Sequence, residues 1–226
     1  MRKSLFTASL LALAVAAPFA NAFEAGDIIV RAGAVTVDPQ EDSSDIDLNG
    51  APLTGNTATL DSDTQLGLNF AYMVTDNIGI ELLAATPFSH SVGVKGAVVQ
   101  GLVPSGKLAD IKHLPPTLSV VYYPLDKASA FQPYAGLGIN YTWFFDTELT
   151  GAAEDKGFSG LDLDDSWGLA YQLGMDYMLT DNVMLNAQVR YIDIDTSATT
   201  YLGAAKVKVD VDVDPFVYMV GLGYKF

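Results

Sequence analysis

The chain has 226 residues, no cysteine, and 27 acidic against 12 basic side chains, a formal charge of -15 that stands beside a positive mean hydropathy of +0.24. Half of the residues are hydrophobic, too many for a disordered acidic chain, and an isoelectric point near 4.2 excludes nucleic acid as a natural partner because phosphates would be repelled. Without cysteine there is no disulfide framework, no thiolate metal site and no lipoprotein anchor.

Residues 1–22 read as a signal peptide. Arg2 and Lys3 precede an apolar run from Leu5 to Ala17, followed by Ala20-Asn21-Ala22, an A-x-A cleavage pattern. The run is shorter than the roughly 20 apolar residues of a membrane-spanning helix. The expected mature chain therefore starts at Phe23. It loses two of the twelve positive charges and no negative one, which leaves a net charge of -17.

No later segment is long and apolar enough to span a bilayer as a helix, so alternation must account for the hydrophobicity. A first strand starts near Ile28. After a long acidic stretch at about 38 to 62, Leu66, Leu68, Phe70, Tyr72 and Val74 form one face against Gln65, Gly67, Asn69, Ala71 and Met73. A short turn at Thr75-Asp76-Asn77 leads to a third strand from Ile78, a second long stretch at about 89 to 112, and a fourth strand from Leu114. Beyond a turn at Asp126-Lys127, Ala135, Leu137, Ile139, Tyr141, Trp143 and Phe145 alternate with Tyr134, Gly136, Gly138, Asn140 and Thr142. A third stretch covers about 147 to 164; then Trp167, Leu169, Tyr171, Leu173, Met175 and Tyr177 form the outer face of a sixth strand. The turn Thr180-Asp181-Asn182, a seventh strand from Val183 and a fourth stretch at about 196 to 206 precede the last strand. There Phe216, Tyr218, Val220, Leu222, Tyr224 and Phe226 share one parity up to the terminal carboxylate.

Eight strands with aromatic residues at the ends of the apolar stripes predict an all-β fold. It is an eight-stranded antiparallel transmembrane β-barrel spanning residues 23–226, with short periplasmic turns and four longer extracellular loops. The competing reading, a soluble β-sandwich, would bury its apolar face. The segment 72–78 recurs as 177–183, so two periplasmic hairpins are expected to share one turn.

Several motifs fail on their chemistry. Residues 101–108 approach a P-loop, but Leu108 stands where a hydroxyl should meet magnesium. The acidic runs at 42–47, 162–165 and 210–214 lack the spacing of a calcium loop, so no metal and no cofactor are expected. The two histidines, His90 and His113, lie near Ser89, Ser91 and Asp110. Proximity within a loop is weak support for a catalytic triad, and the protein is not expected to be an enzyme.

Sequence blocks spread along the mature chain resemble the OmpW family of small outer-membrane proteins, which includes the AlkL-type hydrocarbon-uptake proteins. They are Glu24-Ala25-Gly26, Arg31-Ala32-Gly33, 75–79, 81–88, 113–117, 138–142, 165–168, Asp193-Ile194-Asp195-Thr196 and Gly223-Tyr224-Lys225-Phe226. The resemblance implies an eight-stranded barrel in the outer membrane of a Gram-negative bacterium. Its narrow apolar lumen would pass small hydrophobic molecules, with release through the wall into the bilayer.

Parity supplies the candidate residues. Met73, Leu83, Met184, Ile192, Val217 and Met219 face inward with Ile29, Val121 and Ile194. Arg190 and Leu83 are expected to form a constriction, with Arg190 paired to Glu81 or Asp176 because a guanidinium cannot lose its charge. Val207, Val209, Val211 and Val213 continue the inward parity as a funnel above the membrane. Pro87, Pro115 and Pro116 lack backbone donors at the seam of strands three and four, where a lateral exit is expected. Phe226 closes an assembly signature for the barrel insertion machinery. The expected partners are outer-membrane lipid, lipopolysaccharide and a small hydrophobic solute, and a closed barrel is expected to be monomeric. Two other functions remain open: a non-conducting surface barrel acting as receptor or adhesion module, and a channel for small polar solutes.

Overall fold

The computed structural model describes residues 22–103 and 105–226; most of the expected signal peptide lies outside this range. In chain order the strands begin with β1 (Ile28–Asp38), β2 (Asp42–Ser43), β3 (Ile46–Leu48), β4 (Ala51–Leu53), β5 (Thr57–Leu60), β6 (Asp63–Met73), β7 (Ile78–Ala85) and β8 (Phe88–Lys95). The short helix α1 (Ala97–Leu102) precedes β9 (Lys107–Leu114), β10 (Thr117–Tyr122) and β11 (Phe131–Leu149). Then follow β12 (Phe158–Leu163), β13 (Ser166–Met178), β14 (Val183–Ile192), β15 (Asp195–Leu202), β16 (Ala205–Asp212) and β17 (Phe216–Lys225).

Eight of these strands close an antiparallel barrel in the order β1, β6, β7, β10, β11, β13, β14, β17. Closure is made by β17 against β1, with Ile29 opposite Lys225 and Asp38 opposite Phe216. In lipid this arrangement leaves no free edge, so every ladder donor and acceptor has a neighbouring strand. The outward parity carries Trp167, Phe226 and Val220 at 71, 69 and 66% exposure, a continuous apolar surface that hydrocarbon rather than water must cover.

The two related turns fold alike. Thr75 Oγ1 accepts from the backbone N–H of Asn77 and Ile78 (3.2 and 3.0 Å). Thr180 Oγ1 accepts from those of Asn182 and Val183 (3.3 and 3.0 Å). These hydroxyls cap donors the turn leaves without ladder partners.

The four long stretches differ from the expectation of open loops, since much of each is strand. β8 and β9 form a hairpin joined to the upper half of β11 and to β5, whereas β15 and β16 pair with β12, β2 and β3. Their alternation is short and diluted by glycine and acidic residues. Pairing is imposed because the barrel strands continue beyond the membrane and present partners.

Candidate functional site

The interior is layered. At the periplasmic end, Phe23, Ile29, Ala71, Met73, Val121, Met178 and Met184 pack with Tyr123 and Tyr134 into one buried cluster. Phe23 meets Tyr123 edge-on, with ring centroids 4.9 Å apart. Met73 and Met184 thus lie at the foot of the barrel, away from the other expected constriction residues.

Above this layer is a polar network that blocks the lumen. Arg31 on β1 donates through Nε and Nη2 to both carboxylate oxygens of Asp176 on β13 (3.0 and 2.6 Å). It also donates through Nη1 to Glu81 (3.1 Å) and Asn69 (3.0 Å), and through Nη2 to the Tyr123 hydroxyl (2.8 Å). Arg190 on β14 pairs with Glu81 on β7 and donates through Nε to Gln172. Gln172 donates in turn to Glu81 (3.0 Å), and Asn186 donates to Asp176 (2.9 Å). Arg31, Glu81, Asp176 and Arg190 are all at most 1% exposed, and only reciprocal pairing makes four ionised groups tolerable there. The expected partner of Arg190 is therefore Glu81, while Asp176 is taken by Arg31. By strand parity Arg31 falls on the inward face with Glu81, Asp176 and Arg190; the neutral members Asn69, Gln172, Asn186, Tyr123 and Tyr134 were missed as a group. Asn69 and Gln172 were visible on the inward faces of their strands, but the strands that bring them together are distant in sequence.

Higher up the lining becomes carbon. Leu83, Ile192, Val217 and Met219 join Val35, Val37, Phe88, Ile111, Phe144, Val211 and Val213 in one apolar cluster. Above it the two extracellular sheets face each other around a cavity with an empty volume of about 680 Å³ including its mouth. Val207, Val209, Val211 and Val213 line this cavity, opposite Val92, Val94 and Ile111. The alternating Lys206, Lys208, Asp210 and Asp212 are exposed to solvent.

The wall is discontinuous between the third and fourth barrel strands, β7 and β10, and the extracellular strands that continue them. The β7–β10 ladder ends at Leu83 opposite Thr117, and the β8–β9 ladder begins at Phe88 opposite His113. Among the described residues, 84–87 and 114–116 have no ladder pairing with one another. Each side stays attached to its other neighbour: Thr86 N–H donates to the Leu66 carbonyl (3.0 Å), and the Pro116 carbonyl accepts from Tyr141 N–H (3.2 Å). Pro87 and Pro116 are exposed and Pro115 is buried. All three flank this break.

A closed eight-stranded barrel with an apolar outer band and a plugged interior defines a small outer-membrane protein. The family model described as the OmpW family matches residues 24–226, and the chain belongs to that family. It is 48% identical to outer membrane protein W of Vibrio cholerae serotype O1, over 97% of this chain and 96% of that protein. It is 30% identical to outer membrane protein AlkL of Ectopseudomonas oleovorans, over 82% of this chain and 76% of that one. The crystal structure of the outer membrane protein OprG from Pseudomonas aeruginosa superimposes with a TM-score of 0.86 at 56% identity, covering 92% of this chain and 99% of that one. The protein is an outer-membrane barrel of the OmpW and AlkL type, which supports a membrane channel or transport role in general terms.

Proposed function

We propose that the protein is a passive channel for small hydrophobic molecules, which enter the extracellular funnel and leave sideways into the bilayer. The observation that carries this reading is the contrast within one lumen. A cavity walled mainly by valine, leucine and isoleucine lies among the extracellular strands, and below it, beyond an apolar layer, a buried network in which each charged side chain has an oppositely charged partner crosses the lumen. A polar solute gains nothing in the first and meets a closed base in the second. A hydrophobic solute is held by burial, at roughly 25 cal/mol per Å² of apolar area, and its lowest-energy way out is through the wall. The break flanked by Pro87, Pro115 and Pro116 offers that way without unpairing a ladder.

The test is uptake of a labelled alkane-like solute by cells with and without the protein, beside a polar solute of equal size. Selective gain for the alkane supports the reading. Equal gain for both, together with a large unhindered ionic conductance in single-channel recordings, favours the polar channel instead. No gain for either leaves the surface-receptor reading.

A further inference from the structure

The break in the wall has an inner side that its prolines do not explain. The layer around it is apolar, yet Thr117, Asn140 and Thr142 lie there fully buried. Thr117 on β10 stands opposite Asn140 on β11, at the level where the β7–β10 ladder ends. The three side chains form one directed hydrogen-bond relay. Thr142 Oγ1 donates to Asn140 Oδ1 (2.7 Å), which orients the amide. Asn140 Nδ2 donates to Thr117 Oγ1 (3.0 Å) and to the Pro116 carbonyl (3.1 Å). Thr117 Oγ1 donates in turn to the Pro115 carbonyl (3.2 Å).

The register shows what these carbonyls are held away from. Leu83 is opposite Thr117, so continuation of the same ladder would set Ala85 opposite Pro115. The Thr86 N–H turns to β6 and the Pro116 carbonyl to β11. Strand alternation therefore aims the Ala85 N–H and the Pro115 carbonyl at each other's strand. Pro115 has no donor, but its carbonyl is able to accept from Ala85 and carry the ladder one step higher. Beyond the break, pairing resumes with Phe88 opposite His113, so four residues, 84–87, stand against three, 114–116. An extra residue on one strand disrupts a ladder locally, as in a bulge. The prolines remove donors from this seam, and the relay occupies the acceptors.

We propose that Thr117 and Asn140 are positioning residues for the lateral exit: from inside the lumen they engage the Pro115 and Pro116 carbonyls and so keep residues 114–116 from pairing with 84–87. The inference rests on the break being the way out for hydrophobic solutes and adds what keeps it open. Carbon side chains of the same shape would fill this layer about as well as three mutually bonded polar ones. Holding two main-chain acceptors is what carbon cannot do. Hydrogen bonds in a row polarise one another, so the relay acts as a unit anchored on β11.

The experiment compares wild type, Thr117→Val and Thr117→Ser, by amide hydrogen exchange of the full barrel in lipid nanodiscs and by uptake of a labelled alkane-like solute into cells. Valine keeps the shape and loses the donor, whereas serine keeps the donor. In wild type the Ala85 amide should exchange faster than that of Leu83, which lies within the ladder. In Thr117→Val the Ala85 exchange should slow roughly fivefold as the bond to Pro115 forms, and uptake should fall severalfold. Thr117→Ser should keep both at the wild-type values. Solute contacts to the methyls of Val211 and Val213 should be equal in all three, which separates exit from entry. If Thr117→Val folds and inserts with unchanged uptake or unchanged Ala85 exchange, or if Thr117→Ser loses uptake equally, the relay does not hold the exit, and the channel reading stands. If wild type takes up no alkane, the channel reading falls and the positioning role with it. Should Thr117→Val fail to fold, wild type alone decides: an Ala85 amide as protected as that of Leu83 is already paired across the seam, and overturns the proposal.

Discussion

Arg190 pairs with Glu81 across the full width of the lumen, because their strands β14 and β7 stand four apart in a ring of eight. Glu81 is also the acid of Arg31 (3.1 Å), so one carboxylate ties three walls together. Glu81→Gln leaves a buried guanidinium with a neutral partner, and it should lower unfolding stability by about 3 to 5 kcal/mol, read by urea denaturation in lipid vesicles. Replacing the pair by carbon, as in Glu81→Leu with Arg190→Met, should recover part of that loss. A Glu81→Gln protein as stable as wild type would mean that water enters the network.

Gly67, Gly33 and Gly221 lie side by side on adjacent strands, just above Arg31. A Cβ on Gly221 would come 2.2 Å from the Ala32 carbonyl oxygen, and one on Gly33 equally close to that of Val220. Backbone, unlike a flexible side chain, cannot yield cheaply. Gly221→Ala should therefore destabilise the closing seam by about 1 to 3 kcal/mol, as overpacking does, and reduce the yield of folded, heat-modifiable barrel. Unchanged folding would show that β1 and β17 can separate at this level.

The barrel was legible because its stripes alternate over whole strands, as in Trp167 to Tyr177, where lipid demands carbon on every second residue. The extracellular strands were not. Phe88–Lys95 and Lys107–Leu114 carry serine, histidine, lysine and glycine on a pattern no longer than eight residues, and only their partners on β11 and β5 define them. For the site, parity gave the burial of Leu83, Arg190, Val211 and Val213, with Val207 and Val209 half-buried, but not their height along the barrel axis. That is why Met73 and Met184 were grouped with residues that lie on the far side of the charge network.

Phe226 donates its backbone N–H to the Ile28 carbonyl (2.8 Å) and stacks edge-on with Tyr224 (4.6 Å), while its ring faces lipid. It adds little burial within the fold, so its deletion should spare refolding of purified protein into detergent yet reduce outer-membrane assembly in cells. Normal assembly of the truncated chain would remove Phe226 from any signal read by the insertion machinery.

Burial pushes the His113 imidazole down to about 3, with the neighbouring His90 adding to the effect. A base whose folded pKa is depressed favours the folded state fully above its unfolded value, near 6.5, and progressively less as pH falls towards 3. At pH 5 the unfolded chain has taken up a proton that the folded one refuses, which costs about 2 kcal/mol. Stability of the extracellular sheets should decline between pH 6.5 and 3, followed by hydrogen exchange of β8 and β9, and His113→Phe should flatten that decline. A flat wild-type profile would mean that the ring is hydrated.

The wall break between Leu83–Thr117 and Phe88–His113 coincides with three prolines, two of which adjoin the loss of pairing on their own side. A proline has no N–H to give, so neither Pro87 nor Pro115 can extend a ladder across the gap even if the chains approach. Alanine restores a donor at each place and relaxes the constraint on the preceding residue. In Pro87→Ala with Pro115→Ala the two ladders should grow towards each other, which would slow amide exchange at residues 84–87 and 114–116 and narrow the opening. Uptake of a hydrophobic solute should then fall severalfold, while folding and outer-membrane yield stay at the wild-type level. Folded, inserted double variant with unchanged uptake would rule this seam out as the exit, and the solute would have to leave elsewhere along the funnel wall.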